Sequence, residues 1–122
     1  MPEFSKDLIA ATSIPLILSI LEEGESYGYE IIKQIKEKSG GSLAFAEGTL
    51  YPVLKKLEEK KFISSKWKTA DSERQRKYYR ITAAGKKQLQ SEKANWQFIN
   101  QLLEQLWKPQ LNFGWNQLST VI

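Results

Sequence analysis

The stretch from residue 47 to residue 85 constrains the fold most, because its hydrophobic period changes abruptly. The apolar residues at helical spacing in this stretch are Leu50, Val53, Leu54 and Leu57. Two short alternating segments follow, Phe62–Lys68 and Lys77–Thr82, with the polar sequence TADSERQR between them. A period of 3.6 followed by a period of 2 predicts a helix that leads directly into a β-hairpin. The hairpin tip contains no glycine, so we expect a loop longer than a two-residue turn.

Positive charge is concentrated in one third of the chain. Residues 1–61 carry eight basic and ten acidic side chains, residues 62–93 carry nine and three, and residues 94–122 carry one of each. Solvated lysines scattered over a surface would give a more even spread. A localised basic stripe suits a polyanionic partner.

The composition excludes several kinds of chemistry. The chain has no cysteine and no histidine. It therefore lacks disulfides, thiolates, the usual general base near neutral pH and the commonest zinc ligand. We find no carboxylate pair placed for hydrolysis and no glycine loop that would cradle a phosphate. We therefore expect no enzyme, no catalytic residue, no metal site and no cofactor.

The apolar run near the N-terminus predicts a buried helix and not a membrane segment. Leu8–Leu21 is interrupted by polar residues and Pro15, and it is shorter than the ~20 apolar residues that span a bilayer. No small-residue cleavage site follows it. We expect a cytoplasmic protein without a membrane partner.

Two helices are predicted before the central one. The first covers residues 7–22, and Pro15 should kink it or mark a restart. The second covers about 27–38, with Ser26 as its N-cap. Leu43–Phe45 is a candidate for a minimal strand.

The third helix ends near Lys60, and two starts are compatible with its sequence. If Thr49 is the cap, Pro52 falls in the first turn, where the missing N–H costs nothing. Otherwise the helix begins near Glu47 with an irregular first turn.

A long helix is predicted from about Ala83 to Trp107. Its heptad seam consists of Leu89, Trp96, Ile99, Leu103 and Leu106. One small domain cannot cover so long a helix, and leaving its large side chains in water forfeits ~1.5–3 kcal/mol each. We therefore expect two copies to pair through this helix as a homodimer. The tail, residues 109–122, is expected to dock on the partner or to be partly disordered.

The order helix, helix, helix, hairpin is that of the winged helix-turn-helix, whose third helix enters the DNA major groove. A groove about 12 Å wide admits one helix, and the third helix has a face without apolar residues that can enter it. We predict a mainly α fold with a small β-hairpin. Its parts are a winged-helix DNA-binding domain (1–82), a C-terminal dimerisation helix (83–108) and a tail (109–122).

Three segments resemble the PadR family of bacterial transcriptional regulators. They are YGYEI from Tyr27, GTLYPVLKKLE from Gly48 and RKYYRITAAG from Arg76, and the resemblance covers roughly residues 8–108. It implies a dimeric repressor that binds an inverted-repeat operator on double-stranded DNA, with half-sites ~34 Å apart. The side chains expected to approach DNA are Tyr29, Lys33, Thr49, Tyr51, Lys55, Lys56, Arg74, Arg76 and Lys77.

The short C-terminal part resembles the compact subgroup of this family. In its multidrug-sensing member, a tryptophan of this helix stacks on flat aromatic drugs at the dimer centre. Trp96 matches that position, so the resemblance implies an aromatic small-molecule effector that relieves repression. The alternative is that Trp96 only packs the dimer seam. The candidate residues for this ligand site or dimer interface are Phe4, Ile14, Trp96, Ile99, Leu103 and Leu106.

A second class of function is compatible with the same pattern. A winged helix can act as a protein-interaction module that does not bind DNA. That alternative predicts that Lys55→Glu together with Arg76→Glu leaves function intact.

Overall fold

In the computed structural model, which describes residues 4–69 and 74–108, four helices are combined with three short strands. The helices are α1 (Lys6–Glu23), α2 (Gly28–Lys38), α3 (Glu47–Glu59) and α4 (Ala83–Trp107). The strands are β1 (Ser26–Tyr27), β2 (Ile63–Thr69) and β3 (Gln75–Ile81), and they form one antiparallel sheet in the order β1-β3-β2. The predicted fold class is confirmed. The tail, residues 109–122, lies outside the described residues.

The core is built mainly by the first three helices, and Ile63 of β2, Tyr79 of β3 and Leu89 of α4 complete it. On α3, Leu50, Leu54 and Leu57 are fully buried, as their spacing predicted. They pack in one cluster with Ile17 of α1 and Ile31 of α2. Because the buried stripe takes one side of α3, its opposite side faces solvent.

The N-terminal helix is continuous through its proline. Pro15 lies inside α1, so the predicted restart does not occur. The Ser5 side chain caps the helix by accepting a hydrogen bond from the Leu8 N–H at 3.1 Å. Ser13 is buried, and its hydroxyl donates to the Ala10 carbonyl one turn earlier, at 2.7 Å.

Two local predictions for the segments on either side of α2 were wrong. Ser26 does not cap α2: it lies in β1, opposite Tyr79, and its buried hydroxyl donates to the Glu30 carboxylate at 2.6 Å. Leu43–Phe45 forms no strand in the part of the chain that the structure describes. Phe45 is instead buried in the core, so its apolar character reflects packing and not strand pairing.

The start of α3 is the earlier of the two alternatives. The helix begins at Glu47 after Ala46, and Pro52 lies inside it. The Ala46 carbonyl accepts hydrogen bonds from both the Thr49 and the Leu50 N–H, each at 3.0 Å, which makes the first turn partly 3₁₀.

The hairpin is longer than its alternation predicted. Its register runs from Ile63 opposite Ile81 to Thr69 opposite Gln75, so Gln75 and Arg76 belong to β3 and not to the tip. Residues 70–73, the centre of the predicted tip, lie outside the described residues. We call β2 and β3, with Arg74 at their connection, the wing.

The wing and the first turn of α4 are locked to the turn that ends α3. The Thr82 hydroxyl donates to the Lys61 carbonyl at 2.7 Å and accepts from the Gly85 N–H at 3.0 Å. The Thr82 N–H donates to the Phe62 carbonyl at 3.0 Å. A Cβ atom on Gly85 would lie only 2.0 Å from that carbonyl oxygen. Gly85 therefore permits a close backbone approach that no larger residue allows.

The described residues divide after Glu92 into two compact units, and α4 begins in the first and ends in the second. Leu89 is fully buried in the first unit. In the described part of the second unit, residues 93–108, the large apolar side chains that are exposed are Trp96, Phe98, Ile99, Leu102, Leu106 and Trp107. No helix in the described ranges is long and apolar enough to cross a membrane.

We expect Gly85→Ala to lower the free energy of unfolding by roughly 1–3 kcal/mol, the cost typical of overpacking. The added methyl meets backbone, which cannot rotate away. Gly48→Ala is the matched control, since that helical glycine has nothing within 4 Å of its missing Cβ. Urea denaturation followed by circular dichroism compares the two variants. Equal midpoints would contradict the close-packing role of Gly85.

Candidate nucleic-acid interface

A cleft of about 660 Å³ opens where the starts of α2 and α3 meet the wing. Its lining is rich in aromatic rings and cations. The lining residues are Tyr27, Gly28, Tyr29, Glu47, Tyr51, Trp67, Arg74, Gln75, Arg76, Lys77 and Tyr79. We call this the wing cleft.

The phenol ring of Tyr51 is seated on α2. A Cβ atom on Gly28 would lie 2.3 Å from the Tyr51 hydroxyl oxygen and 2.7 Å from the ring carbon that carries it. The ring of the α3 residue therefore rests directly on the glycine backbone at the first residue of α2. Gly28 is buried, whereas Tyr51 remains partly exposed to the wing cleft.

The wing cations are held by aromatic and acidic partners. The Arg76 guanidinium carbon lies 4.3 Å from the ring centroid of Tyr27, which is cation–π distance. The Lys77 ammonium lies 3.5 Å from a carboxylate oxygen of Glu58 on α3 and 5.6 Å from the ring centroid of Tyr79. Glu58 also accepts a hydrogen bond from the Ser65 hydroxyl of β2. Part of the Lys77 charge is thus neutralised within the molecule.

Among the described residues of this region, Glu25 and Tyr79 have pKa values shifted from their ordinary range. The hydrogen bond from Lys68 lowers the pKa of the exposed Glu25 carboxyl, so that carboxylate stays ionised beside the sheet. Burial, and then the negative charge of Glu58, raises the pKa of Tyr79. Tyr79 therefore presents a neutral phenol to the wing cleft.

Five of the predicted DNA-contacting residues are brought together. Tyr29, Tyr51, Arg74, Arg76 and Lys77 all line the wing cleft, although they come from α2, α3 and the wing. Lys55 lines an adjoining hollow that shares Tyr51 and Lys77 with the cleft.

The other three predicted DNA contacts lie outside both concave regions. Lys33 is exposed on α2, one turn after Tyr29, and Thr49 and Lys56 are exposed on α3. The last two lie seven residues apart and so share a helical face, on the flank of α3 away from Tyr51.

Sequence reasoning missed several cleft residues. Trp67 lies in β2 opposite Lys77 and is 63 % exposed. Its alternation with Ile63 was visible in the sequence, but Ile63 is buried and Trp67 lies farther along the same face, beyond the core. Tyr27 gave no periodic signal, because β1 has only two residues, and Gly28 has no side chain that could contribute to one.

The predicted ligand-site residues are distributed over both units. Trp96, Ile99, Leu103 and Leu106 lie along α4, where Leu103 is half-buried and the others are exposed. Phe4 and Ile14 belong to the first unit; both are half-buried, and Ile14 packs against the core cluster.

The wing cleft combines the groups that a nucleic acid requires. Guanidinium and ammonium groups pair with phosphates, phenol hydroxyls donate hydrogen bonds to phosphate oxygens, and aromatic rings contact sugars and base methyls. In the described ranges, no group of three or more His, Cys, Asp or Glu residues is placed to hold a metal ion. The arrangement of cations, phenols and rings suits the binding of a nucleic acid.

Comparison with known proteins gives a consistent result. The sequence profile described as "Transcriptional regulator PadR-like family" matches residues 17–91. An uncharacterized protein of Lysinibacillus sphaericus is 33 % identical over 98 residues, which are 80 % of this chain and 90 % of that protein. The negative transcriptional regulator PadR of Bacillus subtilis is 34 % identical over 73 residues, which are 60 % of this chain but only 40 % of the longer protein.

Solved structures agree with the sequence relatives. A transcriptional regulator from Clostridium thermocellum aligns with a TM-score of 0.78 and 34 % identity, covering 86 % of this chain and 99 % of that one. A PadR family transcription regulator from Clostridium difficile aligns with a TM-score of 0.69 and 41 % identity, covering 78 % of this chain and 97 % of that one. The match of the profile to more than half of the chain, on a fold shared with these regulators, shows that the chain belongs to the PadR-like family of transcriptional regulators.

Proposed function

We propose that the protein is a homodimeric, sequence-specific DNA-binding repressor that reads an inverted-repeat operator. The single observation that carries this proposal is the wing cleft. There, Tyr51 of α3 and the wing cations Arg74, Arg76 and Lys77 line one concave surface. A reading helix and its phosphate contacts are thereby available to the same stretch of duplex.

In this proposal α3 enters the major groove with its solvent-facing side. That side carries Lys55 at its centre and Tyr51 toward the wing, while Leu54 is fully buried. A helix of 13 residues is ~20 Å long, enough to contact several base pairs. Thr49 and Lys56 extend the same surface on its other flank.

The wing supplies phosphate contacts with unequal strength. Arg76 stacks on Tyr27 and keeps its charge available, whereas Lys77 shares its charge with Glu58. Arg74 is exposed and directly precedes β3. We therefore assign the larger share of phosphate binding to the two arginines. On α2, Tyr29 and Lys33 lie one turn apart and are both exposed, so they suit contacts to a neighbouring phosphate.

We expect Lys55→Ala and Arg74→Ala each to weaken operator binding roughly tenfold, the scale of one charged hydrogen bond. Each should also reduce the slope of log affinity against log salt by about 1, because one phosphate contact is lost. The measurement is fluorescence anisotropy on an inverted repeat selected from random duplexes.

Lys38→Ala is the matched control for these variants. Lys38 is exposed, and its ammonium nitrogen lies 3.7 Å from a carboxylate oxygen of Glu23. It is the last residue of α2, whereas the wing cleft lies at the first turn of that helix. We expect it to leave affinity and salt slope unchanged. A wild-type protein that enriches no sequence and binds no duplex would contradict the proposal and favour the protein-interaction alternative.

The proposed dimer is supported by the apolar surface of α4. Ile99, Leu102 and Leu106 are exposed and lie within about one quarter of the helical circumference. Burial of each against a second copy stabilises the assembly by ~1.5–3 kcal/mol. A two-fold pair also presents two reading helices to half-sites ~34 Å apart.

We expect Ile99→Asp to shift the protein from dimer to monomer at micromolar concentration, because a carboxylate would be buried in the interface. Gln101→Asp adds the same charge on the opposite face of α4 and should leave the dimer intact. Sedimentation velocity measures both. Dimers of equal stability in the two variants, or a monomeric wild type, would count against pairing through α4.

We further propose that a planar aromatic molecule is the effector and stacks on Trp96. The support is the resemblance to the compact, multidrug-sensing subgroup, together with the 36 % exposure of this large ring on α4. A flat ligand between two such rings gains stacking energy that a tightly packed seam would not offer.

We expect a planar tricyclic dye to quench the tryptophan emission with a saturable, micromolar midpoint and to lower operator affinity. Trp96→Ala should abolish the saturable phase, whereas Trp107→Phe, which alters an exposed tryptophan about three helical turns farther along α4, should retain it. Tryptophan emission that stays constant over a panel of such dyes would contradict the proposal of an aromatic effector.

A further inference from the structure

Two adjacent residues hold side chains from two different parts of the proposed DNA interface. The ring of Tyr27 lies under the Arg76 guanidinium of the wing, and the backbone of Gly28 lies under the Tyr51 ring of α3. Tyr27 ends β1 and Gly28 begins α2. Both belong to the wing cleft, and neither carries a charge that would bind a phosphate.

Tyr27 is itself fixed by contacts that run across the sheet. It pairs with Tyr78 of β3, and the two rings meet edge to face with centroids 5.2 Å apart and planes inclined by 70°. The Lys68 ammonium of β2 lies 5.1 Å from the Tyr78 ring centroid and is ion-paired with Glu25. These contacts join all three strands and leave Tyr27 little freedom to follow a moving arginine.

Gly28 acts by the absence of a side chain. The space that a Cβ atom would need is filled by the Tyr51 phenol, whose hydroxyl oxygen would be 2.3 Å away. Gly28 is buried and its backbone belongs to a helix, so the ring rests on a rigid surface. The position of the Tyr51 hydroxyl is thus set by α2 as well as by its own helix.

We propose that Tyr27 and Gly28 form a positioning element that fixes the wing cation Arg76 and the α3 phenol Tyr51 relative to one another before DNA is bound. The inference rests on the proposed DNA-binding function. Holding a flexible arginine in place removes an ordering cost on binding that corresponds to roughly two- to tenfold in affinity per side chain. The same fixed relation sharpens the difference between operator and random duplex.

The test for Tyr27 compares Tyr27→Leu with Tyr27→Phe. Leucine keeps an apolar side chain but cannot stack with a guanidinium, whereas phenylalanine keeps the ring. We expect Tyr27→Leu to lose roughly two- to tenfold in operator affinity and Tyr27→Phe to remain at the wild-type value. In an Arg76→Ala background, Tyr27→Leu should have no further effect, a non-additivity that a merely structural role would not produce.

The test for Gly28 uses Gly28→Ala in two backgrounds, the wild type and Tyr51→Ala, because the added methyl would overlap the Tyr51 phenol only in the first. We expect Gly28→Ala to displace the Tyr51 ring and lower the ratio of operator to random-duplex affinity several-fold. In a Tyr51→Ala background the added methyl meets no ring, and the substitution should lose its effect.

A further variant keeps the inference falsifiable if Tyr27→Leu fails to fold. Arg76→Lys retains the charge but not the planar group that stacks on Tyr27. We expect an unchanged salt slope with reduced operator affinity. A folded Tyr27→Leu, or failing that Arg76→Lys, with wild-type affinity and discrimination would overturn the positioning role while leaving DNA binding intact. A wild type that does not discriminate between duplexes would overturn both.

Discussion

The structure depends on the division of α3 into a buried and a free face. Leu50, Leu54 and Leu57 tie the helix to α1 and α2, so its opposite side cannot turn inward. That constraint leaves Lys55 exposed to solvent and Tyr51 partly exposed beside the start of α2. The wing then completes a concave surface around the start of this helix, and the cleft exists because both elements pack on the same core.

The net positive charge of this surface does not describe how its charged side chains are arranged. The basic third of the chain does not present a uniform patch: Lys77 pairs with Glu58, and Lys68 pairs with Glu25. Such pairs are worth little as stabilising contacts when they are exposed. Within the described residues, these pairs offset part of the positive charge of the wing. The Arg76 guanidinium stacks on the ring of Tyr27.

Periodicity in the sequence was sufficient to predict the long secondary-structure elements but not the short ones. The stripe of α3, the continuous helix from Ala83 to Trp107 and the existence of the hairpin all followed from spacing. The two-residue β1 had no period to detect, and Ser26 was misread as a cap because strand and cap residues look alike over so short a span. In the proposed site, the charged residues could be predicted individually from the sequence. The positions of the Tyr51 and Arg76 side chains could not be predicted, because they depend on tertiary contacts with residues about 23 and 49 positions away in the chain.

The junction at the start of α4 restricts how this helix can move. It consists of Lys61, Phe62, Thr82 and Gly85. Since the first turn of α4 presses on the Phe62 peptide and shares hydrogen bonds with its neighbours, it cannot pivot freely. A tilt imposed at the root of α4 is passed to the backbone that leaves α3 and enters β2. Because Gly85 allows this close contact, a displacement of the first turn of α4 moves the backbone between α3 and β2 directly.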